Sequence, residues 1–124
     1  MNVNREELAW AAGLFDGEGF IGHLKTSSAK YLHLRLSVGQ TDAPMLHRLN
    51  QALWNLGRVS GPTILPHRKP FWVLNINGFE ACQAAIAAMW PWLSQPKRCQ
   101  AKKALLAQLQ YAKTVRKHVR RMIR

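Results

Sequence analysis

The chain has 124 residues, and 18 Lys and Arg against 6 Asp and Glu give it a formal net charge of +12 at pH 7. That length suits one domain with a real core, and that charge points to a polyanionic partner, nucleic acid first and an anionic membrane surface second. No apolar run is long enough to span a bilayer, no apolar region of a secretory signal follows the N-terminus, and Cys82 and Cys99 lack zinc-ligand spacing, so both read as reduced thiols in a soluble intracellular protein.

The first helix is signalled by Asn4, a cap with Glu7 three residues on as its capping-box partner. Ala9, Ala12, Gly13 and Asp16 recur at i, i+3, i+4 and i+7. They form a stripe, small until its last member, that another backbone could approach closely. Leu8, Ala11 and Phe15 form the neighbouring stripe and suit a core. Gly17 reads as the helix stop, flanked by Asp16 and Glu18. Carboxylates are out of place there, because the negative end of the helix dipole disfavours them. The other four acids have ordinary explanations. Glu6 and Glu7 lie in the first turn, Asp42 can cap the helix that begins at Ala43-Pro44, and Glu80 lies three after Asn77 as a second capping box. Asp16 and Glu18 are left as a polar turn or as oxygen ligands for a metal.

A strand follows from Phe20 to Thr26, then a turn at Ser27-Ser28-Ala29-Lys30, then a strand from Tyr31 to Gln40. In the second strand Leu32, Leu34, Leu36 and Val38 point one way, and Tyr31, His33, Arg35 and Ser37 the other. One face is aliphatic and the other is long, polar and partly cationic. In the first strand His23 and Lys25 alternate with Gly22, Leu24 and Thr26, and the spacing leaves the outward set open. Thr41 or Asp42 caps a second helix with Leu46, Leu49 and Leu53 on its apolar face and Gly57 at its end.

A short strand, Arg58 to Gly61, leads to a connection from Pro62 to Pro70 that carries His67, Arg68 and Lys69. Its prolines mark a loop or sheet edge, read either as a solvated turn or as a DNA-contacting loop. In the strand Phe71 to Asn77, Trp72, Leu74 and Ile76 alternate with Val73, Asn75 and Asn77. Asn77 or Gly78 opens a helix from Phe79 to about Met89, which Trp90-Pro91-Trp92-Leu93 breaks. After Pro96 roughly two more helical turns are expected, with Ala101, Ala104, Leu105, Leu109 and Ala112 as the stripe. The order α-β-β-α-β-β-α-α predicts an α+β fold, a four-stranded antiparallel sheet with helices on one face. Residues 1–112 form the domain and 113–124 a basic extension, in which Lys113, Arg116, Lys117, Arg120, Arg121 and Arg124 are interleaved with Val115, Val119, Met122 and Ile123. As a helix it could lie on phosphate backbone or an anionic membrane, or it could be a frayed terminus.

The segment Ala11 to Gly19, Ala-Ala-Gly-Leu-Phe-Asp-Gly-Glu-Gly, resembles the LAGLIDADG motif of homing endonucleases. Ala11 stands where that family usually has Leu, and Glu18, at the catalytic position, where the motif's name has Asp. The resemblance extends through residues 5–112. Gln40, at the end of the second strand, sits where the family often has a polar active-site residue. Trp90-Pro91-Trp92-Leu93 followed by Lys97-Arg98-Cys99-Gln100-Ala101 is similar to a Pro-aromatic-Leu and Lys-Arg-x-Gln-Ala motif whose lysine lies beside the active site. One departure is Pro44, where related enzymes can carry a basic residue. Arg48, a turn later, is the candidate to compensate.

The resemblance implies a homodimeric, single-motif, site-specific double-strand DNA endonuclease that uses Mg²⁺, with Mn²⁺ as substitute, and serves intron or intein mobility. It implies catalytic roles for Asp16, Glu18, Gln40 and Lys97. Metal ligation falls to Glu18 and the backbone carbonyl of Gly17. The two chains would meet through Ala9, Ala12, Gly13 and Asp16. DNA contacts would come from Tyr31, His33, Arg35, Ser37 and Asn75 on the sheet, from His67, Arg68 and Lys69 on the loop, and from Arg116 and Arg120 in the tail. No membrane partner is expected, and the compartment would be bacterial, phage or organellar. The alternative is a non-cleaving nucleic-acid binder or an RNA-splicing maturase on the same scaffold.

Overall fold

A computed structural model of the chain describes residues 2–25 and 32–123. The turn expected at Ser27-Ser28-Ala29-Lys30 and the candidate Tyr31 lie outside the described residues. The elements run α1 (Arg5–Glu18), β1 (Gly19–Lys25), β2 (Leu32–Gln40), α2 (Ala43–Ala52), β3 (Arg58–Thr63), β4 (Phe71–Asn77), α3 (Phe79–Met89), a single 3-10 turn (Trp90–Trp92) and α4 (Gln95–Ile123). The sheet has the order β1-β2-β4-β3, and each neighbouring pair is antiparallel. This is the expected α+β architecture.

The aliphatic side of β2 carries the core. Leu34, Leu36 and Val38, with Ile21 of β1 and Leu74 and Ile76 of β4, pack against Leu8, Ala11 and Phe15 of α1, Leu46 and Leu49 of α2, and Ile86 and Met89 of α3. Register settles the side-chain direction in β1. Phe20 pairs with Ser37, Gly22 with Arg35 and Leu24 with His33, so these three share the open face of the sheet. His23 alternates with them and belongs to the helix side. Both cysteines are free, Cys82 buried and Cys99 exposed. Burial pushes the Cys82 thiol up to about 11, and its Sγ donates to the Ile76 carbonyl at 3.2 Å.

Element ends differ from expectation, each for a local reason. Asn4 does cap α1, accepting the Glu7 amide at 3.1 Å. The Glu7 carboxylate does not close a capping box, because it accepts from Arg48 at 2.7 and 3.0 Å. The helix runs through Gly17 to Glu18 and passes straight into β1 at Gly19, which is extended at φ −84° and donates to the Phe15 carbonyl. A Cβ at Gly19 would collide with the Phe15 ring and carbonyl, so the tight helix-to-strand junction depends on this glycine.

α2 ends at Ala52 rather than Gly57. Trp54 and Asn55 take left-handed conformations at φ 55° and 56°. The Asn50 amide then brackets Gly57, donating to its carbonyl and accepting from its N–H, both at 3.0 Å. A side chain thus satisfies backbone groups that no helix or strand reaches at that point. β3 continues two residues past Gly61, to Thr63. α3 is opened by Gly78 at φ 95° without a side-chain cap. Asn77 does not form the box with Glu80, because its Oδ1 accepts from Arg35.

α4 is a 29-residue helix, unbroken across residues 112 and 113. No Gly or Pro follows Pro96, so nothing in the backbone stops it. Ala101 and Ala104 bury its first half. From Lys113 onward every described residue is exposed, and the segment is a basic helical arm. Among the described residues, no helix is long and apolar enough to cross a membrane.

Candidate carboxylate cleft and nucleic-acid interface

Glu18 is exposed at the junction of α1 and β1. With Gly39, Gln40, Thr41, Arg68 and Phe71 it lines a cleft of about 260 Å³. Gln40 arrives there as the last residue of β2. Arg68 arrives from the β3–β4 loop through a turn in which the Leu65 carbonyl accepts the Arg68 amide at 3.4 Å. Pro66 and His67 are the central residues of that turn, and His67 is left-handed at φ 64°. The Arg68 guanidinium then lies 4.4 Å from the centre of the Phe71 ring.

The resemblance implies that Asp16 and Lys97 stand among the reacting groups. Neither lines this cleft. Both oxygens of Asp16 accept the Ser94 amide, at 3.0 Å each. Ser94 itself caps α4, its Oγ accepting the Lys97 amide at 3.4 Å. Asp16 therefore ties the end of α1 to the start of α4. Lys97 is buried, and its Nζ donates to the Gly19 carbonyl at 2.7 Å. That places a cation at the C-terminal end of α1, where the helix dipole favours one. Arg48, the candidate to replace a cation at Pro44, is held elsewhere. It pairs with Glu7 and lies 3.8 Å from the centre of the Trp10 ring.

The donors at the cleft suit a hard divalent cation. Glu18 brings a carboxylate, a hard oxygen donor of the kind such ions take, to the cleft lining, and Gly17 is not part of that lining. Among the described residues no three His, Cys, Asp or Glu side chains come together to hold a metal. Among the described residues one chain therefore brings one carboxylate to the cleft, and further ligands would have to come from backbone, phosphate, water or a second chain.

The open face of the sheet is built from paired rows. Arg35 faces Asn77 across β2 and β4, and its Nε donates to Asn77 Oδ1 at 2.6 Å. A guanidinium can only donate, so Asn77 keeps its amide N–H groups as donors for something else. In the next row the Ser37 hydroxyl donates to Asn75 Oδ1 at 2.7 Å, and Arg58 pairs with Asn75 from β3. His33 is exposed on the same face. None of the six acids lies on a strand. Arg58, Ser60 and Asn77 were missed as contact candidates. The alternation of Arg58 and Ser60 with Val59 was the available signal. Phe20, 54% exposed, adds apolar surface to this face.

The stripe expected at a helix–helix contact is altered. Ala12 is 0% exposed and belongs to the core of its own chain, and Asp16 is committed to Ser94. Gly13 and Gly17 are exposed, and a Cβ on either would meet nothing within 4 Å. With half-buried Ala9 they form the stripe that α1 presents outward.

A helix leading through a carboxylate into a four-stranded sheet, whose open face is polar and basic, is the architecture of a LAGLIDADG half-domain. Solved structures share it. The homing endonuclease I-CvuI in complex with its target matches with a TM-score of 0.71 and 21% identity, over 89% of this chain and 70% of that one. A second I-CvuI structure, with 2 mM Mg and DNA not cleaved, matches with a TM-score of 0.71 and 23% identity, over 90% and 73%. The LAGLIDADG meganuclease I-AabMI bound to uncleaved DNA matches with a TM-score of 0.67 and 18% identity, over 90% of this chain but 38% of that one. No family model and no curated protein matches the chain. The fold is that of the LAGLIDADG homing endonucleases.

Proposed function

We propose that this chain is a single-motif LAGLIDADG endonuclease, a homodimer that hydrolyses phosphodiester bonds in both strands of a specific duplex DNA site. The observation that carries the reading is the meeting of Glu18 and Gln40 in one cleft beside a sheet face without acids. Glu18 and the Gly17 carbonyl would hold Mg²⁺, or Mn²⁺ in its place. A bound divalent ion lowers the pKa of water and offsets charge on a phosphodiester. Gln40, with an amide that both donates and accepts, orients water at the cleft. Lys97 holds the α1–β1 junction through Gly19, and so fixes where Glu18 stands.

Chemistry and shape support the dimer. Each chain supplies one such carboxylate, and a duplex has two strands. Packing α1 against its copy through Ala9, Gly13 and Gly17 brings both Glu18 residues near one two-fold axis. The two sheets then lie side by side over the duplex. Their open faces read the major groove with His33, Arg35, Ser37, Asn75 and Asn77. His67 and Lys69 on the loop, and Arg116 and Arg120 on α4, would hold phosphates. A non-cleaving binder or a maturase would use the same basic face without needing the exposed Glu18 carboxylate.

The test is cleavage of a plasmid carrying the two flanks of the gene joined end to end. Linear product in Mg²⁺, absent in EDTA and absent with Glu18→Gln, is expected. Tight binding of that plasmid without any cleavage would leave the binder in place of the nuclease.

A further inference from the structure

Phosphodiester hydrolysis adds negative charge at the phosphate as the bond breaks, so a cleft built for it needs cations aimed at the phosphate oxygens. Pro44 supplies none, and Arg48 is engaged by Glu7 and Trp10. Lys97 does not line the cleft, and its Nζ donates to the Gly19 carbonyl. Arg68 is the one cation among the described residues lining the Glu18–Gln40 cleft. Two constraints aim it there. The Leu65–Arg68 turn sets its backbone, and the Phe71 ring backs its guanidinium. It makes no ion pair among the described residues, so its planar fork remains suited to a phosphate. Gly39 leaves the cleft without a side chain at that point, and Thr41 adds a hydroxyl.

We infer that Arg68 binds the phosphodiester seated in the Glu18–Gln40 cleft and supplies there the cation that Pro44 does not. This rests on the endonuclease reading for its consequence in cleavage, but the phosphate contact itself is separable from it. It also distinguishes Arg68 from its neighbour Lys69, which is exposed outside the cleft lining.

The probe is a duplex selected by the wild-type chain from a randomised pool, together with copies carrying one neutral methylphosphonate at each central phosphate in turn. Binding is measured in Ca²⁺ for wild type, Arg68→Ala, Arg68→Lys and Lys69→Ala. Wild type should lose about tenfold in affinity at one central phosphate per strand, the size of one charge-assisted contact. Arg68→Ala should show no further loss there, Arg68→Lys an intermediate loss, and Lys69→Ala the full wild-type loss. In Mg²⁺ at saturating protein, Arg68→Ala should cleave on the order of 100-fold more slowly, as for removal of one charge-stabilising donor. Full sensitivity retained in Arg68→Ala overturns the inference, as does wild-type binding indifferent to every neutralised central phosphate. A rate loss that vanishes at saturating protein removes the catalytic consequence. A wild-type chain that binds but never cleaves sinks the endonuclease reading, while the binding comparison still decides Arg68.

Discussion

Asp16 and Ser94 are 78 residues apart in the chain, yet both carboxylate oxygens of Asp16 accept the Ser94 amide at 3.0 Å. Two residues further on, Glu18 is exposed at the cleft. The two acids that look alike in the sequence therefore have different duties. Asp16 ties the start of α4 to the end of α1, and Glu18 stands exposed in the cleft where the proposed metal would be held.

Asp16→Ala should consequently destabilise the fold by about 1–3 kcal/mol, the usual worth of a hydrogen bond to a charged group. Asp16→Asn, which keeps one acceptor oxygen, should cost less. Denaturant titration followed by tryptophan fluorescence measures both. An Asp16→Ala midpoint equal to wild type would mean that water serves the Ser94 amide as well as Asp16 does.

Glu18→Gln should do the reverse. It keeps the shape of an exposed side chain and removes the charge that would hold a divalent ion, so the thermal transition and Ca²⁺-free DNA binding should stay near wild type while Mg²⁺-dependent cleavage disappears. Wild-type cleavage by this variant would refute the assignment of the metal to Glu18.

What could be read from the sequence tracks how local the signal is. Leu34, Leu36 and Val38 were legible because a half-buried strand repeats every two residues. β1 was not, because Gly22 and His23 carry little contrast and their direction is inherited from pairing with β2. Gly17 imitated a helix stop, while the actual turn is made at Gly19 by its contact with Phe15. The length of α4 was hidden because the apolar residues from Val115 onward stay exposed among cations, so the segment reads as a charged tail. The contacts of Asp16, Lys97 and Arg48 were not legible for one common reason: their partners, Ser94, Gly19 and Glu7, are 78, 78 and 41 residues away. Arg68 entered the cleft from a proline-flanked loop, a setting that by itself suggests solvent.

Gly13→Leu should leave each chain folded and abolish the dimer. A Cβ at Gly13 meets nothing within 4 Å inside its own chain, and Leu is a better helix former than Gly by somewhat less than about 1 kcal/mol. A second α1 packed on that stripe would be forced away. Light scattering paired with circular dichroism checks both halves. A folded, unchanged dimer would place the interface elsewhere.

Arg35→Ala should relax preference at particular base positions, costing about 1–3 kcal/mol at each if the arginine makes a bidentate base contact. Because Arg35 also accounts for the Asn77 orientation through its Nε, Asn77→Ala should shift preference at the same or an adjacent position. Selection over randomised sites reads this directly. A uniform loss across all sequences would move Arg35 to the phosphate-binding class.

Removing residues after Ala112 should weaken binding to every DNA sequence about equally and leave the fold intact. The removed part of α4 carries Lys113, Arg116, Lys117, Arg120 and Arg121, all exposed. Its apolar residues do not hold it to the core, since Val115 and Val119 are 42% and 45% exposed and Met122 and Ile123 more so. A long helix with this charge and no polar pattern for base edges fits phosphate backbone, where contacts raise affinity without specifying sequence. Each lost phosphate contact should flatten the slope of log K against log salt by about 0.9. Binding isotherms at several salt concentrations, for the full and shortened chains, give that slope. An unchanged slope would detach the arm from DNA altogether. A shortened chain that lost its thermal transition would instead show that Val115 and Val119, which are only partly exposed, help to hold the fold.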